Sequence, residues 1–185
     1  MNVLRKFNRK AATVLIVWLM VATAAFPLTV EHISLERMTR ESHTVVYGTA
    51  LSSYAQWEGN NIYTYTTVQV RESLKGSNSS TVTLKQLGGI VGDVAQEISG
   101  SPSLRRNEEV VLFLVQWRNH LWIHSIVLGK FSVATEDNKS VAYNDLNNIG
   151  LIDPVTKEEI RQSNSKSNHI PLQSFLREVR TFIAH

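Results

Sequence analysis

No cysteine occurs anywhere in the 185 residues. That absence excludes a thiol nucleophile, a disulfide framework, every cysteine-ligated metal site and a lipid anchor on an acylated cysteine. An excess of one charge sign is also missing once the chain is divided. The formal net charge of +3 comes from 19 basic and 16 acidic residues. Four of the basic ones, Arg5, Lys6, Arg9 and Lys10, precede the first acid, Glu31; without them 15 basic residues face 16 acidic ones. A balance near −1 removes the electrostatic case for a nucleic-acid partner. There is no internal repeat, no His-Glu-x-x-His, no Gly-x-Ser-x-Gly elbow and no Lys-Ser or Lys-Thr after a glycine-rich loop.

One long hydrophobic run is present, from Ala11 to Phe26. A basic opening, this apolar run and the small residues Ala22-Thr23-Ala24 form the pattern of a cleavable secretory signal peptide, with cleavage expected after Ala24. The run is shorter than the roughly 20 residues a membrane span needs, and Pro27 stops a helix from continuing. The reading is therefore a signal peptide over residues 1–24 and a mature chain that is periplasmic or secreted, with no stable membrane anchor after cleavage. About 160 mature residues suffice for one domain with its own core.

Ser34 is placed to cap a short helix over Leu35 to Glu41, with Ile33 and Met38 spaced as a hydrophobic staple. Strands follow. His43 to Leu51 is rich in β-branched residues, with Gly48 inside it as a bulge. After the turn Glu58-Gly59-Asn60-Asn61, residues Ile62 to Glu72 alternate Ile62, Thr64, Thr66, Val68 and Val70 with Tyr63, Tyr65, Thr67, Gln69 and Arg71. Thr81 to Leu87 is a third strand, and Gly88 to Asn107 reads as a loop. Glu109 to Trp117 is apolar enough to be buried on both sides, and pairs through Arg118-Asn119 with Leu121 to Val127. Lys130 to Ala134 and Ser140 to Tyr143 are further short strands, and Asn144 to Asn168 is polar and irregular. Pro171 then opens a helix with an apolar stripe of Leu172, Phe175, Leu176, Val179, Phe182 and Ile183. The expected fold is mainly β: a small closed β-barrel with a short N-terminal helix and a C-terminal amphipathic helix.

Catalytic and metal constellations are weak. His120 and His124 have a helical ligand spacing, but on a strand residues four apart lie roughly 13 Å from each other. Gly88-Gly89-Ile90-Val91-Gly92 suggests a phosphate cradle, although a crowded strand-end turn explains it as well; Asp93 and Glu97 follow as an acid pair. No nucleophile, base or cofactor site is assigned, and the chain is read as a non-enzyme. The most informative feature is an aromatic strand face: Tyr63 and Tyr65 share a side with Arg71, while Tyr54 and Trp57 lie across the turn. Such a face binds ligands unless the terminal helix or the tail covers it.

Taken together, Ser42-His43-Thr44-Val45-Val46-Tyr47-Gly48-Thr49-Ala50, Tyr63-Thr64-Tyr65-Thr66-Thr67-Val68 and Glu72-Ser73-Leu74-Lys75-Gly76 resemble the netrin-like module of tissue inhibitors of metalloproteinases, an OB-type barrel. The pattern is also similar to bacterial exported proteins of this kind, in Gly88-Gly89 with Gly92, Gly100-Ser101-Pro102, Glu108 to Leu114 and Gly129 to Val133. The resemblance covers about Ser42 to Ala134. Asn107 stands where that pattern places a glycine, and tolerates the same left-handed backbone. The metalloproteinase inhibitors chelate zinc through an N-terminal cysteine, which this chain lacks, so the resemblance implies their fold and not their inhibitory mechanism.

The resulting division is an N-terminal segment with a short helix over 25–41, a netrin-like barrel over 42–145, and a tail with the terminal helix over 146–185. The expected function is an exported non-enzymatic binding module contacting another exported protein, a metalloprotease being one candidate. The Gly88 to Asn107 loop and the N-terminal segment are its contacting edges. Protease inhibition without the chelating cysteine and glycan binding are the alternatives. Candidate binding residues are Trp57, Tyr63, Tyr65, Arg71, Gly88, Gly89 and Asp93.

Overall fold

The computed structural model describes residues 28–146, 149–160 and 169–184. The expected signal peptide over 1–24 lies outside the described residues. Among those described, no helix is long and apolar enough to cross a membrane.

Among the described residues the fold is mainly β with two helices. The short helix α1 (Leu35–Glu41) has the expected cap, the Ser34 hydroxyl accepting from the Arg37 amide at 3.2 Å. Two long strands follow, β2 (Thr44–Glu58) and β3 (Asn61–Lys75). Each outruns its sequence-based bounds, because serine, tyrosine and threonine sustain an antiparallel ladder up to the Gly59-Asn60 turn. Gly48 sits at a register shift in this pair. A Cβ there would lie 2.2 Å from the Gln69 carbonyl oxygen, so the two backbones meet only because the side chain is missing.

Beyond β4 (Thr81–Leu87) the expected loop is not structureless: it holds the hairpin β5 (Gly89–Val91) and β6 (Val94–Gln96), turning at Gly92-Asp93. Ile90, Val91 and Val94 are enough to pair across that turn despite the glycines around them. Asn107 adopts φ 65°, the left-handed backbone expected of it. β7 (Glu109–Trp117) turns through Arg118 and Asn119, both at positive φ, into β8 (His120–Ile123). β8 stops four residues short of expectation, at the turns leading to β9 (Lys130–Glu136) and β10 (Lys139–Tyr143).

Five strands pair in a circuit. β2 bonds to β3, β3 to β4, β4 to β8, β8 to β7, and β7 back to β2. Four of these contacts are antiparallel; β4 and β8 meet in parallel at Leu84 and Leu121. β9 and β10 extend the sheet from the β7 side, and β13 (Ile170–Pro171) ends it. The polar stretch after Asn144 contains β11 (Ile149–Ile152) and β12 (Glu159–Ile160). With β1 (Leu28–Glu31), parallel to β11, they make a small separate sheet.

β7 alternates between two cores. Val110, Leu112 and Leu114 join Val46, Val68, Val82 and Leu84 in a cluster whose buried members come only from the ring strands. Val111 and Phe113 face the other way, onto Met38 of α1 and onto Phe175, Leu176 and Val179 of the terminal helix α2 (Leu172–Ala184). The apolar stripe of α2 is thus spent on one side of the ring.

Candidate functional site

In an antiparallel pair, directly opposed residues project to the same face. Tyr54 lies opposite Tyr65 and Gln56 opposite Tyr63, while Lys85 of β4 lies opposite Tyr65. The neighbours Val68, Val82 and Leu84 fill the ring core, so these side chains occupy its outer surface.

Here the aromatics assemble around a cation. The Lys85 ammonium stands 4.1 Å from the Tyr63 ring centroid, 5.3 Å from that of Tyr65 and 5.9 Å from that of Trp122. It donates to Glu58 Oε2 at 2.5 Å, and the Tyr65 hydroxyl donates to the other carboxylate oxygen. Lys85 is 6 % exposed, so the ion pair and the ring faces replace the water its charge has lost. The hydrogen bond from Lys85, joined by those from Tyr65 and Gln56, holds the Glu58 carboxyl down at about 2. Tyr54 stacks on Tyr65 with centroids 5.2 Å apart, His120 meets Tyr65 edge-on at 5.8 Å, and Trp117 meets Trp122 at 5.6 Å. The Arg118 guanidinium covers Trp117 at 4.6 Å. Tyr54 and Trp117 remain 58 % and 54 % exposed. Tyr54 is braced by Tyr65, and Trp117 by Trp122 and Arg118.

α2 does not cover these rings; it packs against the core of Met38, Val111 and Phe113. Of the candidate residues, Tyr63 and Tyr65 come together as expected. Trp57 does not join them: it lies opposite Ile62, whose side chain is fully buried, and so belongs to the reverse face. Arg71 is at the far end of β3, pairing with Glu109 at 2.7 Å and lying over the Tyr47 ring. Tyr47 in turn donates to Glu109 at 2.6 Å. Asp93 is exposed at the β5–β6 turn.

Gly88 and Gly89 lie where the chain crosses behind β3. A Cβ on Gly89, whose φ is 140°, would stand 2.3 Å from Thr64 Oγ1 and 3.0 Å from Ala55 Cβ. Close packing, with the Thr64 hydroxyl donating to the Gly88 carbonyl at 2.7 Å, accounts for this glycine pair. The two spaced histidines diverge, His120 to Tyr65 and His124 to Glu41, 3.3 Å away. Burial pushes the His124 imidazole below its usual value, against the pull of Glu41.

Lys85 and Glu58 escaped the sequence reading. The available signal was a lysine following Val82 and Leu84 in strict alternation, which puts it on the same outer face as the tyrosines. No protein-family model matches this chain, and no match is found among curated proteins.

Proposed function

We propose that this chain is an exported, non-enzymatic binding module, a closed OB-type barrel of the netrin-like kind, that contacts another exported protein through the outer aromatic face of its strand ring. The barrel reading is supported by the five-strand circuit, by the parallel meeting of its third and fifth strands, and by the coiling that Gly48 permits in its first.

The observation that carries the functional reading is the pinning of Tyr54 and Trp117. Each ring is fixed by an aromatic partner, Trp117 also by Arg118, and stays more than half exposed. Little rotamer freedom is then lost on contact, and tyrosine, tryptophan and arginine are the residue types that dominate protein interfaces. The β5–β6 hairpin, with Ile90 and Val94 exposed, is a second edge within the loop expected to make contact.

The test is crosslinking capture from the exported fraction with wild type, the double variant Tyr54→Ser/Trp117→Ser, and Trp57→Ser. One partner held by wild type and Trp57→Ser but lost by the double variant supports the reading. Equal capture by all three refutes the choice of face. Should the captured protein be a protease, an activity assay decides whether it is inhibited. Tryptophan quenching by oligosaccharides, with no protein captured, would favour the glycan alternative.

A further inference from the structure

The reverse face of the same strands carries a different chemistry. A cavity of about 500 Å³ lies between the upper inner face of β2, β3 and β4 and the segment from Gly88 to Leu104. Ligand pockets generally fall between roughly 300 and 1,000 Å³.

Lower in the ring the inward positions are Val46, Val68, Val82 and Leu84. At the cavity they become Ser53, Thr64, Thr66 and Gln86. Two of these are committed to the frame: Thr64 donates to the Gly88 carbonyl, and Gln86 Nε2 donates to the Pro102 carbonyl at 2.7 Å. Thr66 is different. It is 2 % exposed and lines the cavity, and its hydroxyl has no hydrogen-bond partner among the described residues. Ser53, opposite Thr66 in the register, stands at the exposed rim.

The lining contains no lysine, arginine or histidine; its one charged residue, Glu97, is exposed. An anion would find no counter-charge here, and a cation only a solvated one. Leu87, Ile98 and Leu104 supply apolar wall between the hydroxyl and amide groups. Polar edges alternating with apolar faces are the surface of a sugar ring.

We infer that this cavity binds a small, uncharged, hydroxyl-bearing ligand of mono- to disaccharide size, with the Thr66 hydroxyl as a buried hydrogen-bonding contact. The site lies on the opposite face from the aromatic cluster and does not depend on it.

The test is an amide-shift titration of the ¹⁵N-labelled mature chain with N-acetylglucosamine and with maltose, using gluconate as the anionic control. Saturable shifts at Thr64, Thr66, Gln86, Gly88 and Gly89 with at least one neutral sugar, and none there with gluconate, are expected. Thr66→Val keeps the shape and removes the hydroxyl; it should weaken binding about tenfold. Ser53→Phe plugs the rim and should abolish the shifts, which covers the case in which Thr66→Val does not fold. Absence of saturable shifts at these amides with either sugar overturns the inference. Shifts confined to the Tyr63, Lys85 and Trp122 side, or undiminished binding by either folded variant, do the same.

Discussion

The two halves of the β2–β3 hairpin share one ladder and have opposite surfaces. In the lower half, Thr44 to Ala50 with Val68 to Lys75, the β2 strand is closed on both faces, Val46 pointing with Val68 into the ring core and Val45 packing toward α2, while β3 is exposed at Gln69, Arg71 and Ser73. In the upper half, Ser52 to Glu58 with Asn61 to Thr67, Ser53, Thr64 and Thr66 face inward onto a cavity, and Tyr54, Tyr63 and Tyr65 face outward. Backbone pairing continues through this change, with its register shifts confined to the lower half and the boundary. Burial on both faces belongs to the β2 strand of the lower half, and the open surfaces of the upper half lie where the alternation of polar and apolar residues is reversed.

The largest effect should come from Leu112→Ala, which opens the fully buried ring core beside Val46 and should cost about 2–5 kcal/mol by urea denaturation. Thr66→Val, equally buried in the upper half, should change stability by less than about 1 kcal/mol, since it leaves no protein group unpaired. Similar losses at both positions would erase the distinction between the halves. Next comes Gly48→Ala, which drives a methyl into the Gln69 carbonyl and should cost about 1–3 kcal/mol. Gly59→Ala, with open space around it and a φ of 61°, should cost about 1 kcal/mol through backbone strain alone.

In the upper half, acid should act through Glu58. Glu58 has a folded-state value of about 2, below its ordinary 4.5. Its contribution is therefore fully present above pH 4.5 and disappears as pH falls toward 2. Comparing acid unfolding of wild type and Glu58→Gln should show that this part of the pH dependence is absent from the variant; identical acid profiles would exclude the Glu58–Lys85 pair as its source. The smallest stability effect is expected from Tyr54→Ser, within about 1 kcal/mol, because that ring is 58 % exposed. A larger loss would make the stacked pair a structural element more than a contact surface.

Several elements were legible in the sequence. The Ser34 cap, β4 over Thr81–Leu87, β7 over Glu109–Trp117 and the Gly48 bulge follow from local residue preferences, and the structure has each of them. The β5–β6 hairpin was obscured by Gly88, Gly89 and Gly92, which read as loop although their flanking residues pair. The β1–β11 pairing joins Leu28–Glu31 to Ile149–Ile152, a separation no local pattern encodes. Trp57 was misplaced because nearness to a turn does not fix a face; its partner Ile62 does. Arg71 shares parity with Tyr65, but six residues along a strand amount to roughly 20 Å, enough to give it to Glu109 instead.

β7 has a further consequence for how the molecule comes apart. Its successive side chains belong to alternate cores, Val110, Leu112 and Leu114 to one, Val111 and Phe113 to the other. The helices cannot undock without exposing one face of this strand, and the ring cannot open without exposing the other. The two cores form one thermodynamic unit, expected to melt in a single transition, with the β7 amides exchanging their hydrogens only when the whole domain unfolds.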